Sequence, residues 1–138
     1  MQRTQQQRRG AVVVEFALVA TLVILVIFSM FEFSWVNVMR HTADNAAYEA
    51  SRFGIVPGAN VAEVEDKAQD YLDSVRVVGA TITVAPDPIT EETANVSVSV
   101  DIPLARNSWI IPDFTKNASV SASSTLRAER YRGIPDGS

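Results

Sequence analysis

The stretch that decides the fold is Phe16–Phe31, FALVATLVILVIFSMF, which contains no charged residue. As a helix it would be about 24 Å long, at about 1.5 Å per residue. Extended outward to Ala11 and Val36, the apolar run is interrupted only by Glu15 and Glu32. A membrane-spanning helix needs about 20 residues, and a glutamate near either edge can reach the headgroups. The run therefore predicts a transmembrane helix over residues 11–36.

The charges that flank this helix are asymmetric. Arg3, Arg8 and Arg9 lie before Gly10, where the chain has no acidic residue. Because positively charged flanks remain in the cytoplasm, we expect a single-pass protein of the inner (cytoplasmic) membrane with a cytoplasmic N-terminus and an extracytoplasmic C-terminal domain. A cleaved secretory signal peptide is one alternative, although the apolar run is longer than the usual 7–15 or so residues. A buried helix of a soluble protein is the other.

The remainder of the chain is acidic and lacks the residue types of most catalytic and metal sites. All 16 acidic residues follow Gly10, which argues against a nucleic-acid partner. The chain has no cysteine and one histidine, His41, which argues against thiolate zinc sites and histidine-based triads. It also lacks nucleotide-binding and hydrolase motifs. We therefore predict a protein that is not an enzyme and that uses no cofactor or metal.

A short motif surrounds the start of the apolar run. Residues 8–16 read RRGAVVVEF, so that a basic leader ends in Gly10, and Glu15 and Phe16 follow five and six residues later. Here the chain resembles prepilin signal sequences and, more fully, TadE-like pilus-assembly proteins. Phe31-Glu32-Phe33 and Leu126-Arg127-Ala128-Glu129 resemble further features of that family, whereas Ser34 stands where its members often have glycine. The resemblance is strong over residues 8–53 and loose elsewhere.

This resemblance implies a pilin-like structural or assembly subunit, a minor pilin or pseudopilin of a tight-adherence type IV pilus that supports surface adhesion. Residues 1–10 would be a leader that a prepilin peptidase removes between Gly10 and Ala11. Glu15 and Phe16 would set the register between neighbouring pilin subunits, with Glu15 pairing with the new α-amino group. Glu32 would mark the helix exit. The implied partners are the peptidase, other pilins, the pilus assembly platform and the lipid bilayer.

Three alternatives remain open at this point. Glu15 can be an interfacial carboxylate that is stabilised by the N-terminal end of the helix. The chain can be the main subunit of a TadE-like filament rather than a minor pilin. It can also be an uncleaved, membrane-anchored binding module, although that function leaves the spacing of Gly10 and Glu15 unexplained.

Residues 37–129 are predicted to form an extracytoplasmic α+β domain of the pilin-like kind, followed by a flexible tail over 130–138. The first helix should continue to about residue 53, where Gly54 supplies a C-cap and Pro57 blocks further helix. Apolar residues recur at helical spacing along this part, at Val36, Met39, Ala43, Ala46, Ala50 and Phe53. We expect this stripe to pack on the domain's own sheet, with helix packing inside a filament as the alternative.

The sequence predicts one further helix and three strands in this domain. Asn60 and Glu63 form a near capping box before an amphipathic stretch over about 61–75. Apolar and polar residues then alternate over 80–84, 96–102 and 119–126, which is typical of half-buried strands. We expect a three-stranded antiparallel sheet with one face on the helices. The Trp109–Phe114 loop is predicted to cap the core, with a partner-binding patch as the alternative.

Overall fold

The computed structural model describes residues 2–107 and 117–128, with side chains from Gly10 onward. The elements in chain order are α1 (Gln2–Gly54), α2 (Val61–Ser74), β1 (Thr81–Ala85), β2 (Asn95–Pro103), α3 (Leu104–Asn107) and β3 (Ser119–Arg127). The predicted α+β class is confirmed, and the short α3 is an addition to it. The Trp109–Phe114 loop, Glu129 and the tail over 130–138 lie outside the described residues.

Helix α1 is one uninterrupted helix of 53 residues, about 80 Å long. It starts at Gln2 rather than near Ala11 as predicted, and it therefore includes the basic leader. Glutamine and arginine are good helix formers, and a single glycine such as Gly10 costs only about 1 kcal/mol in a helix. Between Ala11 and Phe53 the chain has neither glycine nor proline, so nothing in that stretch favours a break.

The predicted C-cap at Gly54 is wrong, because this residue is the last of α1 and does not adopt the left-handed conformation. Its role is one of close packing. A β-carbon at this position would lie 2.8 Å from Cγ1 of Val96 and 3.1 Å from Cγ2 of Val64. Gly54 is thus the point where α1, α2 and β2 approach too closely for any side chain.

Helix α2 begins with the capping box that the sequence predicted. The Glu63 amide donates to Oδ1 of Asn60 at 2.9 Å, and the Asn60 amide donates to Oε2 of Glu63 at 3.3 Å. Each side chain satisfies a backbone donor that would otherwise have no partner within the helix. The inner face of α2 buries Val64, Ala68 and Leu72.

The sheet is antiparallel with β2 in the centre, in the order β1-β2-β3. Val98 pairs with Val84 on one side and Ser124 on the other, which places the even-numbered residues on the same face. That face is buried under the helices, at Val84, Val96, Val98, Val100, Ile102, Val120 and Ala122. The outer face is rich in serine and threonine. There the Ser119 and Ser121 hydroxyls donate to Oδ2 of Asp101 at 2.9 and 2.7 Å.

The upper half of α1 packs on this sheet, as expected. Its buried residues are Met39, Thr42, Ala43, Ala46, Ala47, Ala50, Ser51 and Gly54, a wider face than the predicted stripe. Val36 and Phe53, at the ends of that stripe, are only half-buried. Because most of these side chains are small, the helix axis approaches the sheet closely, and Oγ of Ser51 lies 2.8 Å from Oγ of Ser124.

Candidate functional site

The lower half of α1 is a bare apolar rod. Large side chains from Val12 to Phe33 are exposed along its whole circumference, including Phe16 at 72% and Phe28 at 50%. Within the described residues this is the one helix long and apolar enough to cross a membrane, and none of its most apolar window is buried by the protein itself. A helix that is apolar all round needs an apolar environment outside the chain. The segment therefore fits a single-pass membrane anchor.

Gly10 and Ala11, the predicted cleavage residues, both lie on exposed helix. A β-carbon on Gly10 would meet no atom within 4 Å, so packing does not explain this glycine as it explains Gly54. A peptidase that binds its substrate in extended form would have to unwind the helix locally here. Glycine makes that opening less costly, because it is a poor helix former by about 1 kcal/mol relative to alanine.

Glu15 lies four residues beyond Ala11, one helical turn further along the same face. Both residues are exposed, and so is Phe16 beside them. The structure does not bring Glu15 and Glu32 together, because seventeen residues of continuous helix separate them by about 25 Å. The predicted site is therefore two separate points on the rod, one near each edge of its apolar part.

Glu32 stands where the domain begins to cover α1. It is half-buried, with its Oε2 atom shielded from solvent, whereas its neighbours Phe31 and Phe33 are 65% and 78% exposed. One turn later the indole Nε1 of Trp35 donates a hydrogen bond to the backbone oxygen of Asn107 in α3. The helix exit is thus joined directly to α3, which follows the end of the central strand β2.

Asn107 holds this junction together. Its Oδ1 accepts from the Val78 amide at 2.9 Å, and its Nδ2 donates to the carbonyls of Val78 and Pro103 at 2.9 and 2.8 Å. Sequence reasoning missed both Trp35 and Asn107. A tryptophan at the end of an apolar run is a signal for the membrane interface, but nothing local identifies an asparagine whose partner is 72 residues away.

Comparison with known protein families adds the deciding observation. Residues 10–52 match the TadE-like protein family. The TadE-like segment starts at Gly10 and includes Glu15, Phe16 and Glu32, which carried the resemblance in the sequence, and it stops just before the end of α1. It leaves α2 and the sheet outside the match. No curated protein and no solved structure matched the chain significantly.

The TadE-like segment covers both the exposed apolar lower half of α1 and its packed upper half. The family match therefore falls on the helix that carries all of the predicted site residues. The match points to a pilin-like protein associated with a tight-adherence pilus. Pilin-like proteins of this kind are structural, which agrees with the function class that the sequence favoured.

Proposed function

We propose that this chain is a minor pilin or pseudopilin of a tight-adherence type IV pilus, which a prepilin peptidase processes and which enters or primes the filament. The observation that carries the proposal is the TadE-like match over residues 10–52, on a helix whose lower half is bare and whose upper half carries a domain. In this function the pilus supports adhesion to surfaces, and the partners are the peptidase, other pilins and the assembly platform.

Processing would separate the basic leader from Ala11. The leader would remain in the cytoplasm because of Arg3, Arg8 and Arg9, and the domain would lie on the other side of the inner membrane. Cleavage would create a positive α-amino group on Ala11, one turn from the Glu15 carboxylate. In the membrane these charges would be costly unless paired, and pairing between neighbouring chains would fix their register.

The N-terminal residue of the protein recovered from native membranes tests this proposal, and mass spectrometry measures it. A chain that begins at Ala11 supports processing. An intact chain in cells with an active peptidase contradicts it and favours an uncleaved, membrane-anchored binding module. Gly10→Leu should block removal of the leader, because the added side chain would obstruct a tight cleft. Ala20→Leu is the matched control on the same exposed helix and should be processed like the unmodified chain.

The share of this chain in sheared pili distinguishes a minor pilin from a main subunit. As a minor pilin it would be present in small amounts beside a more abundant subunit. If it accounted for most of the pilus mass, the alternative of a main subunit of a TadE-like filament would hold. In either case, deleting the chain should reduce surface attachment, and restoring it should recover attachment.

A further inference from the structure

The turn between α2 and β1 is connected to the helix exit by hydrogen bonds. Trp35 bonds to the backbone of Asn107, and the Asn107 side chain bonds to both backbone groups of Val78. Trp35 stands three residues beyond Glu32, about 4.5 Å further along the helix axis. Trp35 and Asn107 therefore connect Val78 to the part of α1 that lies just beyond the point at which the helix would leave the bilayer.

This turn exposes two apolar side chains in a fixed arrangement. Val75 is 43% exposed and Val78 is 55% exposed, whereas Val77 between them is buried. The amides of Arg76 and Val77 donate to the carbonyls of Asp73 and Leu72, both at 3.0 Å. Arg76 adopts a left-handed conformation, with φ of 60°, which is uncommon for a residue with a side chain. The backbone thus directs Val77 inward and leaves its neighbours outside.

Two arginines accompany the exposed valines. Arg76 lies between Val75 and Val78 in the chain, and the guanidinium of Arg106 lies against Gly79, 3.0 Å from where a β-carbon would be. Both arginines are exposed. The carboxylate of Asp73, the acidic group nearest in sequence to Arg76, accepts from Nε2 of Gln69 at 2.7 Å on the outer face of α2, and that of Asp101, the nearest to Arg106, accepts from Ser119 and Ser121. Apolar tips flanked by cations are typical of surfaces that enter the headgroup region of a membrane.

We propose that Val75, Arg76, Val78 and Arg106, here called the lower surface, rest on the anionic phospholipid headgroups of the bilayer that α1 crosses. The inference relies on the proposed function only in requiring that α1 spans a membrane. The lower surface and the membrane helix belong to the same chain and are connected through Trp35 and Asn107, so the headgroups are close to this surface at any protein concentration. The arginines attract lipid phosphates, and the valines occupy the boundary between headgroups and acyl chains.

Site-directed spin labelling tests this directly, because the chain has no cysteine of its own. The full chain would carry Val78→Cys or the control Val56→Cys, in nanodiscs with one chain each. Val56 has a similar exposure of 51% but follows the far end of α1, about 30 Å further from the bilayer. Accessibility of each label to oxygen and to a water-soluble nickel chelate would be measured, in phosphatidylcholine with and without phosphatidylglycerol.

We expect the label at position 78 to be several-fold less accessible to the nickel chelate than the label at 56 when phosphatidylglycerol is present. Changing Arg76 and Arg106 to glutamine should remove most of that protection. Equal accessibility of the labels at positions 78 and 56 to the nickel chelate overturns the proposal. Protection of the label at 78 only in nanodiscs that hold two chains also overturns it, because the partner of the surface would then be a second copy of the chain. A label at Phe28→Cys distinguishes failure of the lower-surface proposal from failure of the membrane helix. High accessibility of that label to the nickel chelate would show that α1 does not cross the bilayer.

Discussion

Gly54 and Val96 are in such close contact that the surface of the helix backbone itself forms part of the core. A β-carbon on Gly54 would lie 2.8 Å from Cγ1 of Val96, well inside the normal separation of two carbon atoms. Both residues are buried, and neither α1 nor the central strand β2 can move away without opening the core. This one contact sets the distance between the long helix and the sheet at the upper end of the domain.

Gly54→Ala should therefore lower the free energy of unfolding by about 1–3 kcal/mol, the usual cost of overpacking. Urea unfolding of the full chain in detergent, followed by near-ultraviolet circular dichroism, measures this cost. In the Val96→Ala background the nearest obstructing methyl group is absent and only Cγ2 of Val64, at 3.1 Å, remains close, so the same change at Gly54 should cost less. An equal cost in both backgrounds would show that the contact with Val96 is not the cause.

The hydroxyls of Ser51 and Ser124 predict a second stability effect. The Ser51 hydroxyl donates to the Tyr48 carbonyl at 3.0 Å, so the 2.8 Å contact between the two serines uses the proton of Ser124. Ser51→Ala should cost about 1 kcal/mol, and Ser51→Val should cost more, because its extra methyl group enters a fully buried position. The same unfolding measurement applies. A Ser51→Val variant as stable as the original would mean that neither the hydrogen bond nor the tight packing contributes.

The Asn107 junction predicts a local effect that amide hydrogen exchange can detect. Asn107→Ala removes the acceptor of the Val78 amide, so exchange at Val78 should become faster by about tenfold or more, which corresponds to about 1.4 kcal/mol. Asn107→Asp keeps an acceptor but places negative charge beside the carbonyls of Val78 and Pro103, and it should also weaken the turn. Asn45→Ala, on the exposed side of α1, should leave exchange at Val78 unchanged.

Glu15 predicts an effect on assembly rather than on folding. If its carboxylate pairs with the α-amino group of Ala11 in a neighbouring chain, Glu15→Gln should reduce the chain recovered in sheared pili by about tenfold or more, because an unpaired buried charge costs several kcal/mol. Quantitative immunoblotting of the sheared fraction measures this, and mass spectrometry of the membrane fraction checks that the leader is still removed. Normal recovery of Glu15→Gln would reject the pairing role and leave the interfacial carboxylate as the explanation.

The features that sequence reasoning predicted correctly are those with a local signal. The apolar run, the capping box at Asn60 and the alternation of the three strands each depend on residues close together in the sequence, so the length of the run, the spacing of the cap residues and the period of the strands identify them. The family resemblance is likewise carried by a contiguous segment, Gly10 to Phe16. The structure adds exposure and spacing to those residues, but their roles in cleavage and register remain predictions.

The features that were missed depend on distant parts of the chain. Gly54 looks like a helix cap until Val96 is placed against it, because both functions call for a residue without a side chain. The bond from Trp35 to Asn107 joins residues 72 positions apart, and the local sequence has no trace of it. The short α3 likewise has contacts with distant parts of the chain, since Asn107 accepts from Trp35 and the Leu104 amide donates to the Ala118 carbonyl at 2.9 Å.

The continuity of α1 has a geometric consequence for the whole molecule. Each residue turns an α-helix by about 100°, and no break separates Glu15 from the alanines that hold the sheet. The angle about the helix axis between the Glu15 side chain and the hydroxyl-rich outer face of the sheet is therefore fixed by the number of residues between them. Inserting or deleting one residue in the exposed part of α1, between Glu15 and Phe31, would rotate the domain about the helix axis by about 100° relative to Glu15 and leave the contacts within the domain unchanged.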